Sequence, residues 1–85
     1  MPARVTIELF ASAREAAGRS TVRLRAPVEG LRLSEMLAML TREYPKLAAV
    51  LPSCRTARNG RYLTQRSSRI RPGDEIAIHP PYSGG

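Results

Sequence analysis

Residues 72–85 read PGDEIAIHPPYSGG, and this stretch decides how the rest of the chain is interpreted. It opens on a Pro-Gly-Asp sequence that is typical of a turn. Residues 75–79 then alternate between polar and apolar side chains, which predicts a half-buried strand. The two prolines that follow cannot donate to a sheet ladder, so the strand must end before them. We therefore expect a folded domain over residues 1–79 and a flexible tail over residues 80–85.

Two more strands are predicted near the N-terminus. Residues 5–10 and 22–26 both alternate between apolar and polar side chains, the period of a strand with one buried face. Between them, residues 11–18 read ASAREAAG, a run of small, helix-favouring residues closed by a glycine that adopts the left-handed conformation readily. This pattern indicates a hairpin whose connection is widened by one short helix.

The main helix is predicted in the middle of the chain. Ser34 is expected to cap its N-terminus, with Glu35 in the first turn, and Pro45 is expected to stop it. An apolar stripe at helical spacing predicts that one face packs on the core. The stripe is expected to comprise Leu37, Leu40 and Tyr44, broadened by Met36 and Met39.

Asn59-Gly60 is the strongest hairpin signal in the chain, because both residues tolerate the positive φ of a type I′ turn. Its flanks are residues 54–58 and 61–64, and the first is polar enough to predict a position near a sheet edge. The order of elements favours an α+β domain in which a mixed sheet of about four to five strands packs on one main helix.

Length and composition exclude several classes of protein. Eighty-five residues make one small domain and leave no room for a two-domain enzyme. Fourteen basic and seven acidic residues give a net charge of +7, which favours acidic partners, nucleic acid or anionic membranes. The arginines are scattered over residues 4–71 without a dense run, so a compositional bias with no bearing on partners is the competing and favoured interpretation. Cys54 is the only cysteine and cannot form an internal disulfide, which predicts a reducing, cytoplasmic location. The chain lacks an apolar run of about eighteen residues, so we expect no membrane partner.

Catalytic constellations are hard to find in this sequence. His79 is the only histidine, and the seven carboxylates do not have the spacing of metal ligands. We therefore expect no metal site and no bound cofactor, and the chain alone is poorly equipped as an enzyme.

The tail offers chemistry of another kind. Gly84 and Gly85 carry no side chains, so the tail suits a narrow channel in another protein, where the Gly85 α-carboxylate would be the substrate. ATP would activate that carboxylate as an acyl-adenylate, and attack by sulfur on the carbonyl would give a thiocarboxylate. The competing interpretation is a chain end that is merely small and disordered. Gly-Gly alone leaves both interpretations open.

Four segments together resemble the molybdopterin synthase small-subunit family. They are LFASARE at residues 9–15 with Gly18, the helix end Tyr44-Pro45, Asn59-Gly60, and PGDEI running into PPYSGG. The segments span nearly the whole chain in the order found in the family. The tail with its preceding strand is the specific part of the resemblance.

The resemblance implies a ubiquitin-like β-grasp fold and a sulfur carrier in molybdenum cofactor biosynthesis. In that family an activating enzyme related to ubiquitin activators uses ATP to adenylate the terminal glycine, which becomes a thiocarboxylate. The tail then enters the large subunit of molybdopterin synthase and gives its sulfur to a cyclic pterin phosphate, forming the dithiolene. The residues implied are Gly85 as the sulfur bearer, Pro80, Pro81, Tyr82, Ser83 and Gly84 as the threaded tail, and Phe10, Arg14 and His79 as the docking contacts.

Two residues and one short stretch depart from the family pattern. Tyr82 stands where a small aliphatic residue is usual, and His79 stands where the residue is often apolar. Residues 55–58 are more polar than the aliphatic stretch they replace.

Other functions are compatible with parts of the sequence. Within the same fold, the chain could carry sulfur for thiamine or cysteine biosynthesis, or Gly85 could be joined to lysines as a protein modifier. From a different class, it could be a small basic nucleic-acid-binding module. The candidate patch for that role comprises Arg61, Tyr62, Arg66, Arg69 and Arg71. Nucleic acid is disfavoured because few aromatic residues interleave the arginines.

Overall fold

The computed structural model describes residues 3–81, which form strands around one main helix. The elements are β1 Arg4–Leu9, α1 Ala11–Ala17, β2 Thr21–Arg25, β3 Leu31–Arg32, α2 Leu33–Glu43, 3₁₀ turns at Pro45–Ala49 and Leu51–Ser53, β4 Arg55–Arg58, β5 Arg61–Tyr62, β6 Arg69–Ile70 and β7 Glu75–His79. The predicted α+β architecture, a mixed sheet packed on one main helix, is confirmed.

Five strands form the main sheet in the order β2-β1-β7-β4-β5. β1 and β7 are parallel, with Ile7 opposite Ile76, whereas the other neighbours in the sheet are antiparallel. β3 and β6 form a separate antiparallel pair, which the sequence did not predict because each strand has only two residues. Because β1 and β7 run in the same direction, the C-terminal ends of the two strands lie side by side, with Leu9 opposite Ile78.

The core lies between this sheet and α2. Alternate residues of β1, β2 and β7 are buried, while their neighbours lie on the opposite face of the sheet, called here the outer face. The fully buried large side chains are Val5, Ile7, Leu9, Met36, Leu40, Leu47, Ile70, Ile76 and Ile78. Burying each such side chain contributes about 1.5–3 kcal/mol, which holds α2 on the inner face.

α2 begins earlier than expected. Its N-cap is Arg32 and not Ser34, and the Glu35 carboxylate accepts a hydrogen bond from the Arg32 backbone N–H at 2.8 Å. The Ser34 backbone N–H instead donates to the carbonyl of Arg66 at 3.0 Å, so the loop between β5 and β6 satisfies the first turn of the helix. α2 ends at Glu43, before Pro45, as predicted.

The buried stripe of α2 is correspondingly shifted. Leu33, Met36 and Leu40 are buried, whereas Leu37 and Tyr44 are only partly buried. Because the helix includes Leu33, its core-facing row starts one turn before the row that the sequence predicted.

The hairpin turn is confirmed, with φ of 52° at Asn59 and 84° at Gly60. The Asn59 side chain also reaches the turn that precedes β7. Its Nδ2 donates to Asp74 Oδ1 at 3.2 Å, and its Oδ1 accepts from the Glu75 backbone N–H at 2.9 Å. The β4–β5 hairpin is therefore tied to the start of β7, and β4 lies next to the edge strand β5.

We expect Gly30→Ala to destabilise the fold by about 2–3 kcal/mol in urea denaturation. Gly30 has φ of 93°, and an added Cβ would meet the carbonyl of Ile70 and the side chain of Arg71. Gly60→Ala is the matched control, because Gly60 has a similar φ of 84° but open space at the Cβ position. An equal loss in the two variants would contradict a steric contribution from Ile70.

Candidate functional site

The sheet topology fixes where the chain leaves β7. Leu9 lies opposite Ile78 in the parallel pair, and the Phe10 backbone N–H donates to the Ile78 carbonyl at 3.0 Å. The residue that follows β7 is Pro80, so the predicted tail starts next to Phe10. This explains how two residues that are far apart in sequence, Phe10 and His79, come to the same end of the sheet.

Three rings meet at this point and form the aromatic cluster (Phe10, Tyr62 and His79). The His79 ring lies 6.3 Å from the Phe10 ring in an edge-to-face arrangement and 5.4 Å from the Tyr62 ring. Edge-to-face and tilted contacts at these distances are the favourable ones for aromatic side chains. Phe10 is 47% exposed and Tyr62 is 53% exposed, so the cluster is an apolar surface open to a partner.

Arg55 adds a positive charge to the rim of the aromatic cluster. Its guanidinium carbon lies 5.4 Å from the centre of the Tyr62 ring, within the range of a cation–π interaction. Arg55 also stands directly opposite His79 in the β4–β7 pair. A partner that covers this end of the sheet therefore meets both an apolar surface and a fixed cation.

His79 also contacts the first residue of the tail. Its Nδ1 lies 3.3 Å from the carbonyl oxygen of Pro80, and it donates a hydrogen bond there when Nδ1 carries the proton. The imidazole of His79 is thus in contact with the rings of Phe10 and Tyr62 and with the carbonyl of Pro80.

The other predicted site residues are placed as follows. Arg14 is exposed on α1, and its backbone N–H lies 3.4 Å from the Phe10 carbonyl, one turn away from the aromatic cluster. Pro80 and Pro81 directly follow β7. The remaining tail residues, Tyr82, Ser83, Gly84 and Gly85, lie outside the described residues.

Tyr62 and Arg55 were not predicted as parts of this site. The signal was present in the Asn59-Gly60 turn, because a two-residue hairpin places Ala57 opposite Tyr62. The position of Tyr62 next to His79 also depends on the pairing of β4 with β7. Because that pairing joins strands that are far apart in sequence, the local pattern could not predict it.

Cys54 is half-buried just before β4. Desolvation by burial raises the pKa of its thiol above the ordinary value, so the reactive thiolate is scarce at neutral pH. Cys54 is therefore not equipped as a nucleophile.

Within residues 3–81, no group of three or more His, Cys, Asp or Glu side chains is placed to hold a metal ion. The helices of the same residues are too short or too polar to cross a membrane. A cavity of about 400 Å³ lies between α2 and the 3₁₀ turns, lined by residues including Leu37, Leu51 and Arg66, and none of the predicted docking residues lines it.

Known proteins match this chain over nearly its full length. The ThiS family model matches residues 7–85. The molybdopterin synthase sulfur carrier subunit of Anopheles gambiae is 38% identical over 85 residues, covering 96% of this chain and 92% of that protein. The corresponding subunit of Chlamydomonas reinhardtii is 32% identical over 83 residues, covering 96% of this chain and 99% of that protein.

Solved structures show the same fold. Small archaeal modifier protein 1 from Haloferax volcanii superposes with a TM-score of 0.82 at 28% identity, covering 96% of this chain and 99% of that one. The protein of the same name from Methanosarcina acetivorans gives 0.79 at 31% identity, covering 100% and 99%. A chain from the complex of subunits 1 and 2 of the Helicobacter pylori molybdopterin-converting factor gives 0.71 at 23% identity, covering 96% and 99%. The predicted ubiquitin-like β-grasp fold is confirmed.

Proposed function

This chain belongs to the ThiS family, and we propose that it is the sulfur carrier subunit of a molybdopterin synthase. The observation that carries the proposal is the extent of the family match, which runs through the Gly84-Gly85 tail to residue 85. The names of the curated relatives support the choice of molybdopterin synthase over the thiamine and cysteine pathways.

The proposed activation uses the α-carboxylate of Gly85. A carboxylate oxygen attacks the α-phosphate of ATP on a ubiquitin-activator-like enzyme, and pyrophosphate leaves. A sulfur nucleophile at the level of hydrosulfide then attacks the carbonyl carbon, and AMP leaves as the carbon–sulfur bond forms. The product is a thiocarboxylate at Gly85, with no change of oxidation state at carbon.

The proposed transfer takes place inside the large subunit. There the thiocarboxylate sulfur attacks an oxygen-bearing carbon of the cyclic pterin phosphate, and the carbon–oxygen bond breaks as the oxygen leaves on phosphate or as water. Hydrolysis of the resulting thioester leaves the sulfur on the pterin and returns the carboxylate of Gly85. Two such transfers supply the sulfur atoms of the dithiolene. In both reactions the chain would be a substrate that carries the sulfur, because the catalytic residues would belong to the activating enzyme and to the large subunit.

The exposed aromatic cluster next to the start of the tail supports this role, because it would serve as the docking surface. The aromatic cluster supplies exposed rings, and hot spots of protein interfaces are rich in aromatic and arginine side chains. From Pro80, an extended chain of five more residues reaches at most about 17 Å. The docking surface would thus fix the distance between the partner's channel entrance and the reacting carbon.

A second candidate function is a protein modifier. It is favoured by the likeness to small archaeal modifier protein 1 at 28% and 31% identity. The same acyl-adenylate would then be attacked by a lysine amine, with AMP leaving and an isopeptide bond forming at Gly85.

Intact mass spectrometry tests the proposal. The untagged chain is incubated with ATP, a sulfide source and the ubiquitin-activator-like enzyme of the same genome. We expect one oxygen to be exchanged for sulfur at Gly85, in a group that iodoacetamide alkylates. Methionine oxidation adds a nearly identical mass, but a sulfoxide is not alkylated.

Cys54→Ala is the control variant for this experiment. It removes the only thiol of the chain, so any alkylation that remains must be at the new sulfur. No alkylatable shift with an enzyme of verified activity would overturn the sulfur carrier. Isopeptide-linked species without a thiocarboxylate would establish the protein modifier instead.

A further inference from the structure

Three arginines stand together on the outer face, at the end of the sheet remote from the tail. They form the arginine cluster (Arg4, Arg23 and Arg25), and all three are exposed. Their neighbours in the strands are buried against the core, so the alternation of β1 and β2 places the arginines on the outer face. Arg4 and Arg25 lie directly opposite each other in the antiparallel pair.

This arrangement costs free energy in the isolated chain. Like charges directly opposite one another in a sheet are destabilising. The nearest carboxylates on the same face do not stand opposite the cluster: Glu8 accepts a hydrogen bond from Thr21 at 3.1 Å, and Glu75 lies opposite Thr6. In the strand order, Thr6 separates Arg23 from Glu75, which puts their backbones about 10 Å apart.

Three arginines elsewhere in the described residues donate hydrogen bonds within the chain. Arg58 donates to the carbonyl of Arg69, Arg69 donates to the carbonyls of Glu29 and Gly30, and Arg19 donates to the hydroxyl of Tyr44. These side chains fasten loops and the two-stranded pair, whereas the arginine cluster projects from the open sheet.

The arginine cluster and the aromatic cluster share one surface. Arg4 and Phe10 are six positions apart along β1 and its extension, a distance of about 20 Å. An interface of standard size covers about 800 Å² on each partner, or about 28 Å across. A protein that sits on the aromatic cluster and lies flat on the sheet therefore also covers the arginine cluster. Burying guanidinium groups without counter-charges is strongly unfavourable.

We propose that the arginine cluster binds an acidic surface of the same protein that receives the tail. The inference rests on the proposed function, because the partner in question is the large subunit of molybdopterin synthase. The occupant is a protein and not a nucleic acid, because single-strand binding needs aromatic platforms among the cations. Here the rings lie at the other end of the sheet.

The expected consequence is faster association. Complementary charges across an interface mainly raise the association rate and make it sensitive to salt. The tail end of the surface would supply the apolar contacts, and the arginine cluster would orient the chain so that the tail meets the channel entrance.

The test compares two double variants with the same net charge. Arg23→Gln/Arg25→Gln removes two charges from the arginine cluster, and Arg42→Gln/Arg66→Gln removes two exposed charges on the helix side. Association with the large subunit is followed by stopped-flow at several salt concentrations. We expect the first variant to associate about five- to tenfold more slowly at low salt with a shallower salt dependence, and the control to change less than about twofold.

Other outcomes would overturn the inference. Equal slowing of both variants would mean that only net charge matters, and unchanged rates would mean that the cluster is not in contact. Failure of the native chain to associate would also refute it, while the mass shift at Gly85 reports separately on the sulfur carrier. Tighter binding of a single-stranded oligothymidine than of the large subunit, lost in Arg23→Gln/Arg25→Gln, would assign the cluster to nucleic acid instead.

Discussion

Deletion of Gly85 is expected to abolish sulfur transfer and to leave the fold intact. The deletion moves the α-carboxylate back by one residue, about 3.5 Å, which is more than a channel built for an adenylate or a pterin tolerates. It also replaces the reacting glycine by Gly84 without removing any described residue. The readouts are intact mass after activation and molybdopterin formation with the large subunit.

Stability should be unaffected because the core closes before the tail. Among residues 3–81, the last buried apolar side chain is Ile78, and β7 ends at His79. We expect Tm to change by less than about 3 °C, the shift that follows from about 0.5 kcal/mol in a domain of this size.

Ser83→Ala is the matched control for the deletion. It changes the tail by one hydroxyl and keeps both glycines and the position of the carboxylate. Retained sulfur transfer in the deletion variant would rule out Gly85 as the carrier residue. A large loss of Tm would mean that the tail belongs to the folded domain, against the predicted boundary at residues 79 and 80.

Much of the fold was accessible from sequence because its signals are local. Alternation located β1, β2 and β7, and Asn59-Gly60 fixed the hairpin, since only residues that tolerate positive φ suit that turn. The helix start was wrong because it is decided by a distant loop: the carbonyls of Ser68 and Arg66 accept the first N–H groups of α2. A pattern within residues 33–44 carries no information about that loop.

In the candidate site, too, some features could be predicted from sequence and others depend on long-range strand pairing. The chemistry of the tail follows from residue types alone, and the role of Phe10 and His79 came from the resemblance to a family. Their contact depends on β1 pairing with β7, and that of Tyr62 depends on β4 pairing with β7. Strand order is set by the whole core, so no local pattern predicts it.

The structure also bears on the nucleic-acid patch considered for residues 61–71. Arg69 is half-buried and donates to the carbonyls of Glu29 and Gly30, which commits its guanidinium to the loop before β3. Tyr62 lies against His79 and under Arg55, on the outer face of the sheet. Two of the five side chains that were to form one patch, Arg69 and Tyr62, are thus engaged elsewhere in the fold.

Phe10→Ala is expected to weaken binding to the large subunit at least about tenfold, with little effect on activation chemistry that does not use this surface. Phe10 is 47% exposed, touches the His79 ring edge-to-face and stands where the tail begins. Truncation removes an exposed aromatic anchor from the tail end of the proposed interface. The change should appear mainly in the dissociation rate, because contact residues act after encounter.

Arg42→Ala is the matched control. Arg42 is an exposed residue of α2, which packs on the core side of the sheet, so this variant truncates a large side chain away from the outer face. Isothermal titration calorimetry should show its affinity within about twofold of the native chain. Phe10→Ala should unfold with a loss of only about 1 kcal/mol, the size of one edge-to-face contact. Because that leaves the domain folded, native-like affinity in Phe10→Ala would place the docking surface away from the aromatic cluster. A loss confined to the association rate would transfer the main role to the charged end of the same face.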